Sequence, residues 1–341
     1  MASNAVDLST TYLGLELAHP VVASAGPLSQ TVDGVKALAD GGASAVVLYS
    51  LFEEQLRAEA NRDAALILAQ EDRFPEAMDF FPDVEVTPKS AAQGYLQLVE
   101  KSAAALDVPV IASLNGSDLG GWVEFARELA GAGASALELN VYFVPGDVRT
   151  TGDLVLKRHL EIVHAVTQAV DLPVSVKLSP SFSSPGNAAL QIVDAGAAGL
   201  VLFNRFLQPD VDTETLEMNS HFELSTAHEG RLPRTWIAAI RNHTPASIAG
   251  STGVETADDV VKYLLAGADV VMTTASLIRH GRDHSAALVA GLEAWLTRKG
   301  YASVAEARGL LALPTDGRAD AYERGGYVAA LQAAKQRYGS L

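Results

Sequence analysis

The 341-residue chain contains no cysteine, which removes disulfides, thiolate metal ligands, iron–sulfur ligation and cysteine nucleophiles at once. Charge is scarce, with 19% Asp, Glu, Lys and Arg, and one-sided: 25 basic residues stand against 41 acidic ones, a formal charge of -16. Such a field repels nucleic-acid phosphates and anionic lipid heads, and no basic run offers a local exception. Neither a nucleic-acid nor a membrane partner is therefore expected. An anionic small molecule stays admissible, because a helix N-terminus and one buried lysine hold it locally. No uncharged apolar stretch reaches the roughly 18 residues of a membrane span, and the opening MASNAVDLSTTYLGLELAHPVVASAG meets Asp7 and Glu16 with no basic residue beside an apolar run. A soluble, cytoplasmic protein is expected. C-x-x-C, H-E-x-x-H and continuous G-x-G-x-x-G are also missing, so neither a metal nor a Rossmann cofactor domain is expected.

What the chain has is apolar residue, at 48%, arranged with a rhythm. Eight short apolar runs recur between Ala-rich segments: residues 19–26, 44–50, 108–116, 134–140, 172–180, 198–204, 245–250 and 268–274. Helical patterns separate them, among them TVDGVKALADGG, GWVEFARELAGAG, LVLKRHLEIVHAVTQAV, GNAALQIVDAGA, RTWIAAIRNH and TADDVVKYLLAGA. Small-residue turns such as GAGAS, DAGAAG and LAGAD stop each helix and enter the next strand. Near-continuous apolar strands suit a parallel sheet covered on both faces, and eight such units argue for a closed (β/α)8 TIM barrel over an open doubly wound sheet. The whole of residues 1–341 is read as one domain. Two excursions interrupt it: residues 52–90, a cover for the catalytic face or an oligomer contact compatible with a homodimer, and residues 205–233, a substrate-side flap or surface cover. The last 40 residues read as helices closing the barrel or its edge.

In such a barrel, polar residues at strand C-termini face the active site. Those positions hold Ser24, Tyr49, Ser50, Asn115, Asn140, Lys177 and Asn204. Lys177, ending the apolar VSVKLSP run, could neutralise an anionic ring or phosphate, or form a Schiff base. Asn115 and Asn140 donate and accept together, which suits the imide edge of a heterocycle. The seventh and eighth strand ends, Ala249-Gly250-Ser251-Thr252-Gly253 and Thr273-Thr274-Ala275-Ser276, pair small residues with hydroxyls. Both precede helices, a pattern that suits a phosphate.

Taken in order, HPVVASAG, SLNG, LELN, VSVKLSP, the LFN strand end and IAGSTGVETADDVVKYLLAGADVVMTTASL resemble the class 1 dihydroorotate dehydrogenase family of FMN barrels. The resemblance covers roughly residues 13 to 300. It implies non-covalently bound FMN with its phosphate near Gly253 and Thr274, among Gly250, Ser251, Thr252 and Thr273. It implies Ala23, Ser24, Ala25, Gly26 and Ser50 beside the flavin, and Asn115 and Asn140 on the pyrimidine substrate or flavin edge. Lys177 would sit at the flavin N1 and C2 carbonyl, and Asn204 would help bind substrate.

Two departures stand out. The family's second strand ends Lys-Ser where this chain has Tyr49-Ser50. After the fourth-strand asparagine the family places a catalytic Cys or Ser, and here the nearest match is Phe143, which cannot take a proton. Tyr142 and His221, with His228, are the replacement bases to consider. Tyr49 is a further residue that could occlude the same region. The expected activity is FMN-dependent oxidation of a small cyclic substrate, dihydroorotate to orotate or a related compound, with an unidentified electron acceptor. Alternatives are a Lys177-dependent aldolase or isomerase and a non-enzymatic FMN-binding protein.

Overall fold

The computed structural model describes residues 5–54, 91–116, 122–141, 143, 146–205, 209–219, 223–316 and 319–339, with side chains of 319–325 set aside. All eight apolar runs become parallel strands of one closed barrel. They are β3 (Val21–Ala23), β4 (Val46–Phe52), β5 (Val110–Gly116), β6 (Ala136–Val141), β7 (Val174–Lys177), β8 (Gly199–Leu202), β11 (Ser247–Ser251) and β12 (Val270–Thr273). Neighbours in the barrel follow chain order, and β12 closes on β3. The helices between them are α1 (Val32–Asp40), α2 (Ala91–Ala105), α3 (Trp122–Gly131), α4 (Gly152–Thr167), α5 (Pro185–Asp194), α6 (Arg231–Ile240) and α7 (Ala257–Ala266). Then come α8 (Ala275–His280), α9 (His284–Lys299), α10 (Val304–Ala307) and α11 (Ala319–Tyr338).

The turns expected from GAGAS, DAGAAG and LAGAD carry Gly133, Gly196 and Gly267 at φ +93°, +113° and +117°. A side chain is disfavoured in that left-handed region, which is why glycine ends these helices.

Strand alternation then sorts the core into two layers. Leu137, Leu139, Val174 and Val176 pack outward against helices, while Val22, Val47, Ile111, Ala136, Val201, Ala249, Val270 and Met272 point inward. Their inner cluster includes Tyr12, Leu13 and Leu17 of a hairpin, β1 (Thr10–Tyr12) and β2 (Leu15–Leu17), that stops the N-terminal end of the barrel. Gly199 leaves room for it, since a Cβ there would lie 2.5 Å from Leu13. The bottom is thus sealed, and the C-terminal mouth is left for a ligand.

Neither this hairpin nor a second one, β9 (Asp210–Asp212) with β10 (Glu217–Asn219) in the 205–233 excursion, is visible as a hydrophobic run. Of the 52–90 excursion, residues 55–90 lie outside the described residues. The C-terminal segment splits in two. Leu311 and Leu313, in a non-helical stretch, donate backbone hydrogen bonds to Leu265 and Ala238, closing over the helix layer. On α11, by contrast, the apolar side chains of Tyr327, Val328 and Leu331 are exposed, so these residues do not add to the barrel core.

Candidate active site

Period-two alternation carries the next inward layer, at the strand C-termini, from apolar to polar residues. Ser24, Asn115, Asn140, Lys177 and Ser251 are all buried there, whereas Thr273, next to inward Met272, turns its side chain to the helix layer. A cavity of about 200 Å³ lies at this mouth of the barrel. Its wall includes Ser24, Ala25, Gly26, Lys177, Asn204, Ser251, Thr252, Gly253, Thr273 and Thr274. The structure thus brings together most of the positions singled out from sequence.

Each wall has a local cause. Ser24 continues β3, its N–H donating to the Thr273 carbonyl at 2.9 Å. Gly26 lets the first-strand loop reach the eighth, because a Cβ there would stand 2.6 Å from Thr274 Oγ1. At the seventh strand end, Thr252 and Gly253 are both left-handed, at φ +80° and +67°. Tyr263 of α7 holds them so: its hydroxyl donates to the carbonyls of Ser251 (2.7 Å) and Thr252 (2.6 Å). Burial pushes this phenol well above its ordinary range, with Arg234 opposing, so it stays a donor. Because N–H and C=O of one peptide point oppositely, the Thr252 N–H is turned away from Tyr263.

Gly250 serves this arrangement from behind. A Cβ on it would lie 2.3 Å from the Tyr263 ring, so Gly250 faces the helix layer, as does Ala23.

Just before the helix that follows strand seven, the Asp259 carboxylate accepts from the N–H groups of Glu255 and Thr256 and from the Thr256 hydroxyl. The Thr273 hydroxyl is likewise engaged, donating to Val254 O at 3.2 Å and lying 2.8 Å from Ser276 Oγ.

At the other end of the cavity the Asn204 amide donates to Asn140 Oδ1 at 3.0 Å, and Asn140 sits opposite Asn115 in the β5–β6 register. Ser50 is 2.8 Å from Ser113 Oγ, a contact inside the barrel. Lys177 Nζ lies 3.5 Å from Glu138 Oε1, with side-chain exposures of 10% and 1%. Glu138 was not singled out from sequence. Its signal was its position two residues before Asn140, on the same inward face.

The departures also find places. A register shift in β4 between Val47 and Ser50 leaves the Tyr49 ring edge-on to Tyr95 at 5.1 Å, and Tyr49 is not part of the cavity wall. The expectation that it occludes the site is corrected: the bulge returns Ser50, not Tyr49, to the interior. Phe143 lies under the Arg158 guanidinium, 4.2 Å from its ring centre. His228 is exposed on the 3-10 turn Ala227–Gly230, outside the cavity wall. Tyr142 and His221 lie outside the described residues.

A closed parallel barrel with a polar, glycine-walled cavity at its C-terminal mouth defines the class: a TIM-barrel protein built to bind a ligand between strands one, five, six, seven and eight of the barrel. Residues 7–296 match the family model described as dihydroorotate dehydrogenase. The chain belongs to that family of flavin-dependent oxidoreductases. It is 30% identical over 310 residues to the dihydroorotate dehydrogenase B (NAD(+)) catalytic subunit of Methanosarcina acetivorans, spanning 87% of this chain and 94% of the relative. With the protein of the same name from Methanocaldococcus jannaschii it shares 26% over 287 residues, 81% and 89% of the two chains. Dihydroorotate dehydrogenase A (fumarate) of Lactobacillus delbrueckii subsp. bulgaricus is 32% identical over 174 residues, 49% of this chain and 56% of the relative.

Proposed function

We propose that this chain is a single-domain, class 1-type FMN oxidoreductase that oxidises a small cyclic substrate, with dihydroorotate as the first candidate and cytoplasmic pyrimidine metabolism as its setting. One observation carries the reading. One cavity is lined by a cation and an amide, Lys177 and Asn204, together with small or hydroxyl-bearing residues, among them Thr252, Gly253 and Thr274. That donor set fits FMN: backbone and hydroxyl groups for a phosphate, a cation and amides for a planar heterocycle. Gly26 and Gly253 fit it too, since a Cβ on either would press within 2.6 Å of its neighbours.

In this reading Ser251, Thr252, Gly253, Thr273 and Thr274 hold the phosphate end, and Ser24, Ala25 and Gly26 flank the ring system. Gly250 and Ala23 contribute by packing the wall from behind. When bound, FMN supplies the hydride acceptor, N5. Lys177, in the cavity wall, would supply a cation complementary to a ring system that gains electrons. Asn140 and Asn204 fix one another and turn their remaining donor and acceptor groups to the substrate, with Asn115 beside them.

The Lys-dependent aldolase reading is disfavoured by Glu138. A carboxylate 3.5 Å from Lys177 Nζ engages the nitrogen that Schiff-base chemistry needs free to attack. Phe143, stacked on Arg158, supports a second reading within the same class. There the substrate is a relative of dihydroorotate whose oxidation needs no base on that loop.

The test is direct. Native protein is purified, and the released chromophore is characterised by absorption and mass, with about one FMN per chain expected. Anaerobic bleaching by dihydroorotate then tests the substrate. Fumarate and NAD(+), the acceptors in the relatives' names, are compared for reoxidation. A correctly folded protein that neither retains nor rebinds FMN would sink the proposal.

A further inference from the structure

We propose that Glu138 is a positioning residue of the cavity, whose carboxylate holds the Lys177 side chain fixed at the wall. The inference rests on reading Lys177 as a contact of the cofactor ring. Glu138 is fully buried on β6, facing into the barrel, and its Oε1 meets Lys177 Nζ at 3.5 Å. The adjacent strands place Ser113 and Ser175 opposite it, yet neither hydroxyl is given to it. Ser113 Oγ is taken by Ser50 at 2.8 Å, and Ser175 Oγ donates to the Leu137 carbonyl at 3.2 Å. Among the described residues Glu138 Oε2 has no hydrogen-bond partner. Below lies Tyr12, whose phenol is pushed up by burial first and by the Glu138 charge second, as expected beside an anion.

Stability does not account for such a pair. A buried ion pair costs so much desolvation that apolar side chains of similar volume serve a core equally well. The inner cluster below this pair is built mainly of Val, Ile, Ala, Leu and Met, and the serines beside Glu138 carry no charge. The pair differs in that its cationic end emerges into the cavity while its anionic end stays sealed beneath. An unpaired lysine of that length would swing towards water or lose its proton on burial. Tethered to a rigid strand by Glu138, it presents one fixed charge to whatever occupies the cavity.

Two measurements test this, and only one needs the cofactor. In cofactor-free protein, Lys177 is acylated with acetic anhydride and quantified by peptide mass spectrometry against exposed Lys36. In Glu138→Gln, shown to be folded by circular dichroism, Lys177 should react about ten-fold faster than in wild type, because the amine is no longer tethered at the wall and can swing out to the reagent. Glu138→Asp, which keeps the charge but shortens the arm, should fall between. In FMN-loaded protein, Glu138→Gln should shift the flavin reduction potential, and the same substitution on a Lys177→Met background should shift it less than half as much. Equal Lys177 labelling in Glu138→Gln and wild type overturns the proposal. So do equal potential shifts on both backgrounds, which would mean that Glu138 does not act through Lys177. Failure to bind FMN would instead overturn the flavin reading and leave the labelling result to decide the role of Glu138.

Discussion

Gly253→Ala couples the shape of the cavity to a stability that can be measured separately. Gly253 has φ +67°, and a Cβ on it would lie 2.6 Å from both Gly230 N and Thr226 O. Both are backbone atoms, so no side chain can rotate aside and the turn at 226–230 must move. The left-handed backbone costs about 1–2 kcal/mol for a non-glycine residue, and forcing a packed contact adds about 1–3 kcal/mol. Relief comes only by displacing a turn whose neighbours, Leu224 and Ser225, line the cavity. The displacement also breaks the 3.3 Å bond from Gly253 N–H to Ser225 Oγ. Urea unfolding of cofactor-free protein should therefore show a loss of about 2–5 kcal/mol, and FMN affinity, read by fluorescence titration, should fall by on the order of ten-fold or more. Gly14→Ala is the matched control. Gly14 has φ +76° with nothing within 4 Å of the added carbon, in the hairpin turn at the opposite end of the barrel. It should cost only about 1–2 kcal/mol and leave FMN affinity unchanged. Equal destabilisation by the two substitutions would refute the packing argument. The full stability loss at Gly253 with unaltered FMN affinity would remove this loop from the cofactor's wall.

Lys177→Met strands Glu138 as an uncompensated buried charge, which costs about 3–5 kcal/mol, and makes reduction of bound FMN less favourable. Adding Glu138→Gln should restore most of the stability in urea melts without restoring the potential; an unchanged potential in Lys177→Met would place the lysine outside the flavin's field. With Phe143 in place of a base, stopped-flow reduction by dihydroorotate should run about 10²- to 10⁴-fold below a base-assisted step. Phe143→Cys or Phe143→Ser should accelerate it, whereas a fast wild type would show that the missing base is immaterial. For Glu229, burial raises the carboxyl, but the Thr226 backbone N–H, then Arg205 and the Thr226 hydroxyl outweigh it and hold it below its ordinary 4.5. A depressed folded value means that its contribution is complete above about pH 4.5 and is lost as pH falls below that. Glu229→Gln should thus flatten the acid limb of the unfolding profile, and superimposable limbs for the two proteins would contradict the pairing.

The barrel was legible in the sequence because a parallel strand covered on both faces writes itself as an unbroken apolar run. All eight runs returned as strands, and the glycine turns between helix and strand took the left-handed backbone expected of them. What escaped was short or irregular. Hairpin β1–β2 has three residues per strand, too few for period two to declare itself. The bulge in β4 was equally invisible: Tyr49 and Ser50 stand side by side in the chain, and only the register shift decides which of them turns inward. The capping box of the helix after strand seven also went unread: VETADD contains both its hydroxyl and its carboxylate, Thr256 and Asp259.

Glu138 shows why a site is harder to read than a fold. In LELN the asparagine drew attention because it stands at the strand end, where chemistry is expected. The glutamate two residues earlier shares its inward face, and a charged residue in the sealed half of a barrel contradicts the apolar pattern that identified the strand. Burying a carboxylate there is costly unless a cation comes to it, so its presence in the run already implied a basic partner on a neighbouring strand. VSVKLSP, which forms the next strand of the barrel, supplies the only lysine among the eight apolar runs. The two were therefore obliged to meet once the strand order was fixed. The same reasoning bears on the cavity. Among the described residues of the barrel strands Lys177 is the cation in the cavity wall, and the carboxylate that positions it, Glu138, lies outside that wall. Substitutions at Glu138 should consequently change what the cavity presents to an electron-rich ring through the placement of Lys177 alone.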